Sequence, residues 1–155
     1  MTDDMLRTLG LADHLSPVSA SRLTELAVLS AWPEQAVLFR ERESHERFYW
    51  IQAGRVRLEM SGKRGGNTAM LTIASGDLLA WSALVGDRRM TATATTIEPT
   101  SLFAFEAAAF LQLCNEHPEI GYRVMQAVAR RVSQRLTATR LQMLDLFHQP
   151  TELVP

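Results

Sequence analysis

At 155 residues and 17.4 kDa the chain can bury one core and is too short for two ordinary domains. A hydrophobic share of 46% and a charged share of 21% exclude a disordered chain. The net charge of −1 removes any overall electrostatic signature of a nucleic-acid or membrane binder. No apolar run approaches the ~20 residues that cross a bilayer, and MTDDMLRTLG lacks a basic region followed by an apolar core. The single Cys114 cannot close an internal disulfide, so a reducing, cytoplasmic location is expected.

In chain order, Met5, Leu6, Leu9 and Leu11 form a helical stripe that Gly10 weakens. Ser16-Pro17 reads as the start of a second helix, carried by Leu23, Leu26, Ala27 and Leu29 and ending before Trp32-Pro33. From Ala36 the period changes. AVLFRE, ERFYWIQAG and RVRLEM are short segments rich in β-branched and aromatic residues, and each reads as a strand. Within them Trp50 reads as a core or strand-face residue. SGKRGG (residues 61–66) predicts a hairpin turn between RVRLEM and NTAMLTI. A further turn falls at Ala74 to Asp77, and strands are predicted over Met90 to Ile97 and Ser101 to Phe105.

The stretch Gly76 to Ile97 places a Gly-Asp turn, a short apolar segment, a loop with Arg88 and Arg89, and a Thr/Ala strand in succession. That order suits a pocket for a small anion, framed by the preceding strands and lidded by a later helix. Trp81 either stacks there on a flat ligand or fills the pocket.

Residues 106–115 read as a helix with Phe110, Leu111 and Leu113 inward, and Cys114 reads as core. A final helix runs from about Pro118 to Phe147, roughly 45 Å at ~1.5 Å per residue. Tyr122, Met125, Ala129, Val132, Leu136, Thr139 and Met143 recur at alternating three and four, a coiled-coil spacing. A second stripe holds Val124, Val128, Leu141 and Leu144. One stripe packs on the roll and the other on the same helix of a second copy, so a homodimer is expected, the alternative being a single helix clamped to its own domain. Five arginines make this helix basic, which reads as a solvated face or as a surface for an acidic partner.

Taken together, PEQAVLFRE (33–41), FYWIQAGRVRL (48–58), the GD-led cassette at Gly76, MTATATTIEPTSLFAF and AVARRV (127–132) resemble the cyclic-nucleotide-binding domain of the catabolite-activator and anaerobic-regulator family. The resemblance implies a mainly β fold with flanking helices. Its expected form is a cupin-like double-stranded β-helix (jelly roll) with N-terminal helices and a long C-terminal dimerisation helix. One domain over 1–155 is expected: helices in 1–32, the roll in 33–106 with its cassette at 76–92, helices in 107–147 and a tail at 148–155.

Members that bind cyclic AMP carry Gly-Glu-Leu and later Arg-Ser/Thr-Ala in this cassette. Their Glu holds the ribose and their Arg pairs with the phosphate. Here Ala80-Trp81-Ser82 and Met90-Thr91-Ala92 occupy those places. A Trp cannot accept from a hydroxyl and a Met cannot offset a phosphate. The resemblance therefore implies a ligand-binding set of Leu79, Ala80, Trp81, Ser82, Ala83, Met90, Thr91 and Ala92, while Arg88 and Arg89 read either as a replacement cation or as solvated loop charges. Its ligand is a cyclic nucleotide or other small anion. Arg135 falls near the family's base-contacting position, either reaching an anion or snorkelling along the dimer seam.

Only eight residues follow Phe147, which leaves no room for a recognition helix, so DNA binding by this chain alone is not expected. His14, His45, His117 and His148 are scattered, and neither a metal centre nor catalysis is expected. The expected function is a dimeric sensor that passes a pocket signal to a protein partner. The alternative is a constitutive interaction module whose pocket Trp81 plugs.

Overall fold

The computed structural model describes residues 1–62 and 68–147. The first helix, α1 (Thr2–Leu9), carries Asp3 and Asp4 in its first turn, where the helix dipole favours acids, and buries Met5, Leu6 and Leu9. Gly10 ends it in the left-handed region at φ 73, donating its N–H to the Arg7 carbonyl. The second, α2 (Pro17–Leu26), starts as expected, with the Ser16 hydroxyl accepting the Ser19 N–H at 3.2 Å and Pro17 at its first position.

That helix ends at Leu26, well before the expected limit ahead of Trp32-Pro33. Val28–Trp32 is instead a strand, β1, so the roll begins five residues before Pro33. Leu26, Ala27 and Leu29 fit a helical period, but pairing of residues 28–32 with a distant strand satisfies their backbone, and tertiary pairing overrides local spacing.

The remaining strands are β2 (Val37–Phe39), β3 (Arg47–Ala53), β4 (Arg55–Ser61), β5 (Thr68–Ala74), β6 (Leu78–Leu79), β7 (Thr93–Thr96) and β8 (Thr100–Glu106). Among the described residues they form two antiparallel sheets, β1-β8-β3-β6 and β2-β7-β4-β5. These sheets, with α1 and α2 before them and α3 (Ala107–Glu116) and α4 (Pro118–Phe147) after them, make up the expected mainly β roll with flanking helices. The predicted hairpin is present, its register running from Arg55↔Ala74 to Ser61↔Thr68, although residues 63–66 of its turn lie outside the described residues. So does the tail at 148–155. The strand read from Met90 becomes regular only at Thr93, because the Met90 N–H and C=O bond to Glu43 and Arg42 of the preceding loop.

Strand β3 crosses to β4, and so from one sheet to the other, through Gly54 alone, at φ 99. Four successive β3 residues, Phe48 to Ile51, are buried because helices cover one face of the sheet and the second sheet covers the other. Trp50 is fully buried, in keeping with its core reading. Phe48 stacks on Phe105 with centroids 5.2 Å apart and meets the edge of Phe110 from α3 at 5.2 Å. Helices α3 and α4 pack closely at Gly121, where an added Cβ would lie 2.9 Å from that of Cys114.

The first half of α4 seats Ile120, Val124, Ala127 and Val128 in the core. Beyond Ala129 almost every residue of it is exposed, Arg131 and Arg135 being half-buried.

Candidate functional site

The cassette is held mainly by its backbone. Gly76 turns the chain at φ 86, and the Asp77 carboxylate accepts the Ala74 N–H at 3.1 Å. After β6, Ala80 enters the left-handed region at φ 58 and a single 3-10 turn follows over Trp81–Ala83. The Ala83 N–H donates to the Ala80 carbonyl at 3.0 Å, so this turn spends that donor internally. In the loop beyond, the Arg88 N–H donates to the Ser82 carbonyl at 3.2 Å and the Arg88 carbonyl accepts the His45 N–H at 3.0 Å. Arg89 bridges Ser44 through its backbone.

Both arginines are exposed, and neither lines the cavity that the cassette helps to form. Of the two readings of this pair, replacement cation and solvated loop charge, the exposure of both side chains fits the second. Arg88 sits at φ 64, and backbone bonds to residues 44 and 45 fix the loop with these side chains on the outside. Ala83 is likewise buried away from the cavity.

The cavity measures about 340 Å³. From the cassette it takes Leu79, Ala80, Trp81 and Ser82, and from the start of the next segment Met90, Thr91 and Ala92, all in the expected set. Trp81 is half-buried and forms part of the wall, leaving the space open. Sequence reasoning missed the opposite wall, Phe39 from β2, Leu58 and Met60 from β4, and Met70 and Leu71 from β5. The signal was present, since Val56, Leu58 and Met60 alternate along one strand face.

The lid is α4, which contributes Arg135, Thr139 and Gln142. Arg135 does not snorkel into solvent. It folds over the cavity and donates from Nη2 to the backbone carbonyl of Leu78, while its Nε is buried with no hydrogen-bond partner among the described residues. Burial lowers its pKa from the ordinary guanidinium value, and the Asp77 carboxylate partly offsets that. An arginine stays cationic at neutral pH even so. Among the described residues no acidic side chain lines the cavity. Thr139, read as part of the dimer stripe, lines the mouth, and its hydroxyl donates to the Arg135 carbonyl at 2.9 Å.

Of that stripe, Tyr122, Ala129, Val132, Leu136 and Met143 are exposed and Met125 is half-buried. The Cys114 thiol is half-buried and its pKa is raised by burial, the opposite of an activated nucleophile. Among the described residues no three His, Cys, Asp or Glu side chains come together as metal ligands, and no helix is long and apolar enough to cross a membrane.

Residues 29–117 match the model of the cyclic nucleotide-binding domain. The chain is 30% identical over 96 residues to a lysophospholipase of Neurospora crassa, covering 62% of this chain and 6% of the relative. It is 22% identical over 130 residues to the CRP-like cAMP-activated global transcriptional regulator of Mycobacterium tuberculosis, covering 84% of this chain and 58% of that one. The chain thus spans less than two thirds of either relative. Among solved structures, a cyclic nucleotide-binding domain from Methylobacillus flagellatus superposes with a TM-score of 0.83 at 16% identity, covering 93% of this chain and 83% of the other.

Proposed function

The chain belongs to the cyclic nucleotide-binding domain family, and from that premise we propose that it is a cytoplasmic ligand-sensing regulatory module whose ligand occupies the cavity beneath α4. One observation carries the reading. The cation over the cavity, Arg135, sits on the helix that also carries an exposed apolar stripe, so one element touches both the pocket and the surface. Its Nη2 donates to the Leu78 carbonyl. An anion in the cavity competes for the guanidinium, and α4 moves as far as the ligand's preference between the two positions allows. Because Trp81 leaves the space open, the plugged-pocket alternative is the weaker reading.

A titration of the purified protein with cyclic AMP, cyclic GMP and cyclic di-GMP, followed by thermal unfolding, tests this. A ligand at about 100 times its dissociation constant adds roughly 2.7 kcal/mol, which for a domain of this size raises Tm by about 5–10 °C. Arg135→Ala should remove the shift of any anionic ligand, whereas Arg89→Ala should not. A shift lost in Arg89→Ala and kept in Arg135→Ala would reverse the assignment of the cation.

The signal leaves through a homodimer and then a protein partner. Val132, Leu136 and Met143 stand 37%, 49% and 53% exposed on a helix whose spacing suits a two-helix seam. Val132→Glu should convert a dimer to a monomer in sedimentation equilibrium with little change in Tm. A wild-type protein that sediments as a monomer at all concentrations would remove the dimer from the reading.

A further inference from the structure

We propose that the cavity takes an apolar monocarboxylate, with its carboxylate on Arg135 and its hydrocarbon body against the β4 and β5 wall. The inference rests on the reading of this cavity as the ligand site, and it names the chemical class that site accepts.

Charge sets the first limit. Arg135 is the one cationic side chain among the described residues of the lining, and the lining has no acid. One cation matches one negative charge. A phosphate monoester, at about −1.5 to −2, would enter half-compensated, whereas a carboxylate and a cyclic phosphodiester, each with one charge, both meet this limit. The second limit is shape. A guanidinium presents its donors as a planar fork that fits a carboxylate bidentately, and Arg135 brings that fork to the cavity wall.

Apart from Ser82, Thr91, Thr139 and Gln142, the rest of the wall is apolar and limits the body. Phe39, Leu58, Leu71, Leu79 and Met90 are hydrocarbon or thioether surfaces, and methionines adapt to varied apolar shapes. They offer nothing to the ribose hydroxyls and base amines of a nucleotide, and Trp81 stands where a ribose-holding carboxylate would be needed. An apolar cavity of about 150 Å³ holds a benzene ring. By that measure about 340 Å³ has room for roughly a dozen non-hydrogen atoms.

Isothermal calorimetry at pH 7 with decanoate, decan-1-ol and cyclic AMP, on the wild type and on Arg135→Gln, separates the outcomes. Decanoate should bind the wild type more tightly than decan-1-ol does. Arg135→Gln should weaken decanoate about 10- to 100-fold and leave decan-1-ol within about twofold, as loss of one charged hydrogen-bonding group requires. Equal binding of acid and alcohol by the wild type would overturn the carboxylate assignment, and needs no variant to fold. Cyclic AMP binding without decanoate binding would overturn it while leaving the cavity a ligand site. Absence of binding by all three overturns the carboxylate assignment, and silence toward the other cyclic nucleotides as well overturns the ligand site with it.

Discussion

Replacing Gly54 by alanine should cost about 3–5 kcal/mol of stability, at the upper end of what single substitutions do. Two effects add there. At φ 99 the backbone lies in a region that side-chain-bearing residues rarely adopt. An added Cβ would also lie 2.4 Å from Thr100 Oγ1 and 2.7 Å from both the Pro99 carbonyl oxygen and the Thr100 Cα. Two of those three atoms are backbone, at the start of β8, and cannot swing aside. Moving them disturbs the corner where the chain changes sheets, which the Arg55–Glu98 ion pair at 3.0 Å and the Thr100 hydroxyl bond to the Glu98 carbonyl also tie down. Gly10 provides the comparison. It too has a positive φ, 73, but nothing among the described residues lies within 4 Å of its absent Cβ, so Gly10→Ala should cost only about 1–2 kcal/mol. Urea unfolding of both variants decides the matter, and equal midpoints would remove the contact argument.

Phe48→Ala should cost about 3–5 kcal/mol, through lost transfer energy and the cavity left behind. Phe48 is fully buried and touches the Phe105, Phe110 and Trp50 rings, so its removal opens a void bounded by three large side chains on two strands and a helix. Phe48→Leu keeps most of the volume and should cost about half as much or less. Because Phe48 and Phe110 meet edge to face at 5.2 Å, a double-mutant cycle between them should show a coupling of about 0.5–1.5 kcal/mol. Additive costs would mean that α3 is not held to the sheet through this pair.

Much of this arrangement was legible in the residues because it depends on local chemistry. Ser16-Pro17 could only begin a helix, and period-two runs bounded by turn residues located most of the strands. The cassette's contribution to the cavity was legible too, since its order of turn, short helix, loop and strand is local. What escaped was decided by residues far apart. Val28–Trp32 became a strand because β8, some seventy residues later, pairs with it. Arg88 and Arg89 face outward because residues 44 and 45 hold their backbone. Arg135 lies over the cavity because α4 docks across β6, a tertiary placement that its heptad spacing does not encode.

The bond from Arg135 to Leu78 also bears on how the molecule behaves among its own kind. Strand β6 is one border of its sheet, and carbonyls alternate in direction along a strand. The Asp77 carbonyl faces β3, where it accepts the Ile51 N–H at 2.9 Å, so that of Leu78 faces away from the sheet. An open border of this kind is a template on which a foreign strand can be laid down, and proteins blunt it with short strands and charged side chains. Here the strand is two residues long and a guanidinium caps its outward acceptor. The same side chain therefore guards against sheet growth between molecules, and an occupant that draws it inward strips that guard away.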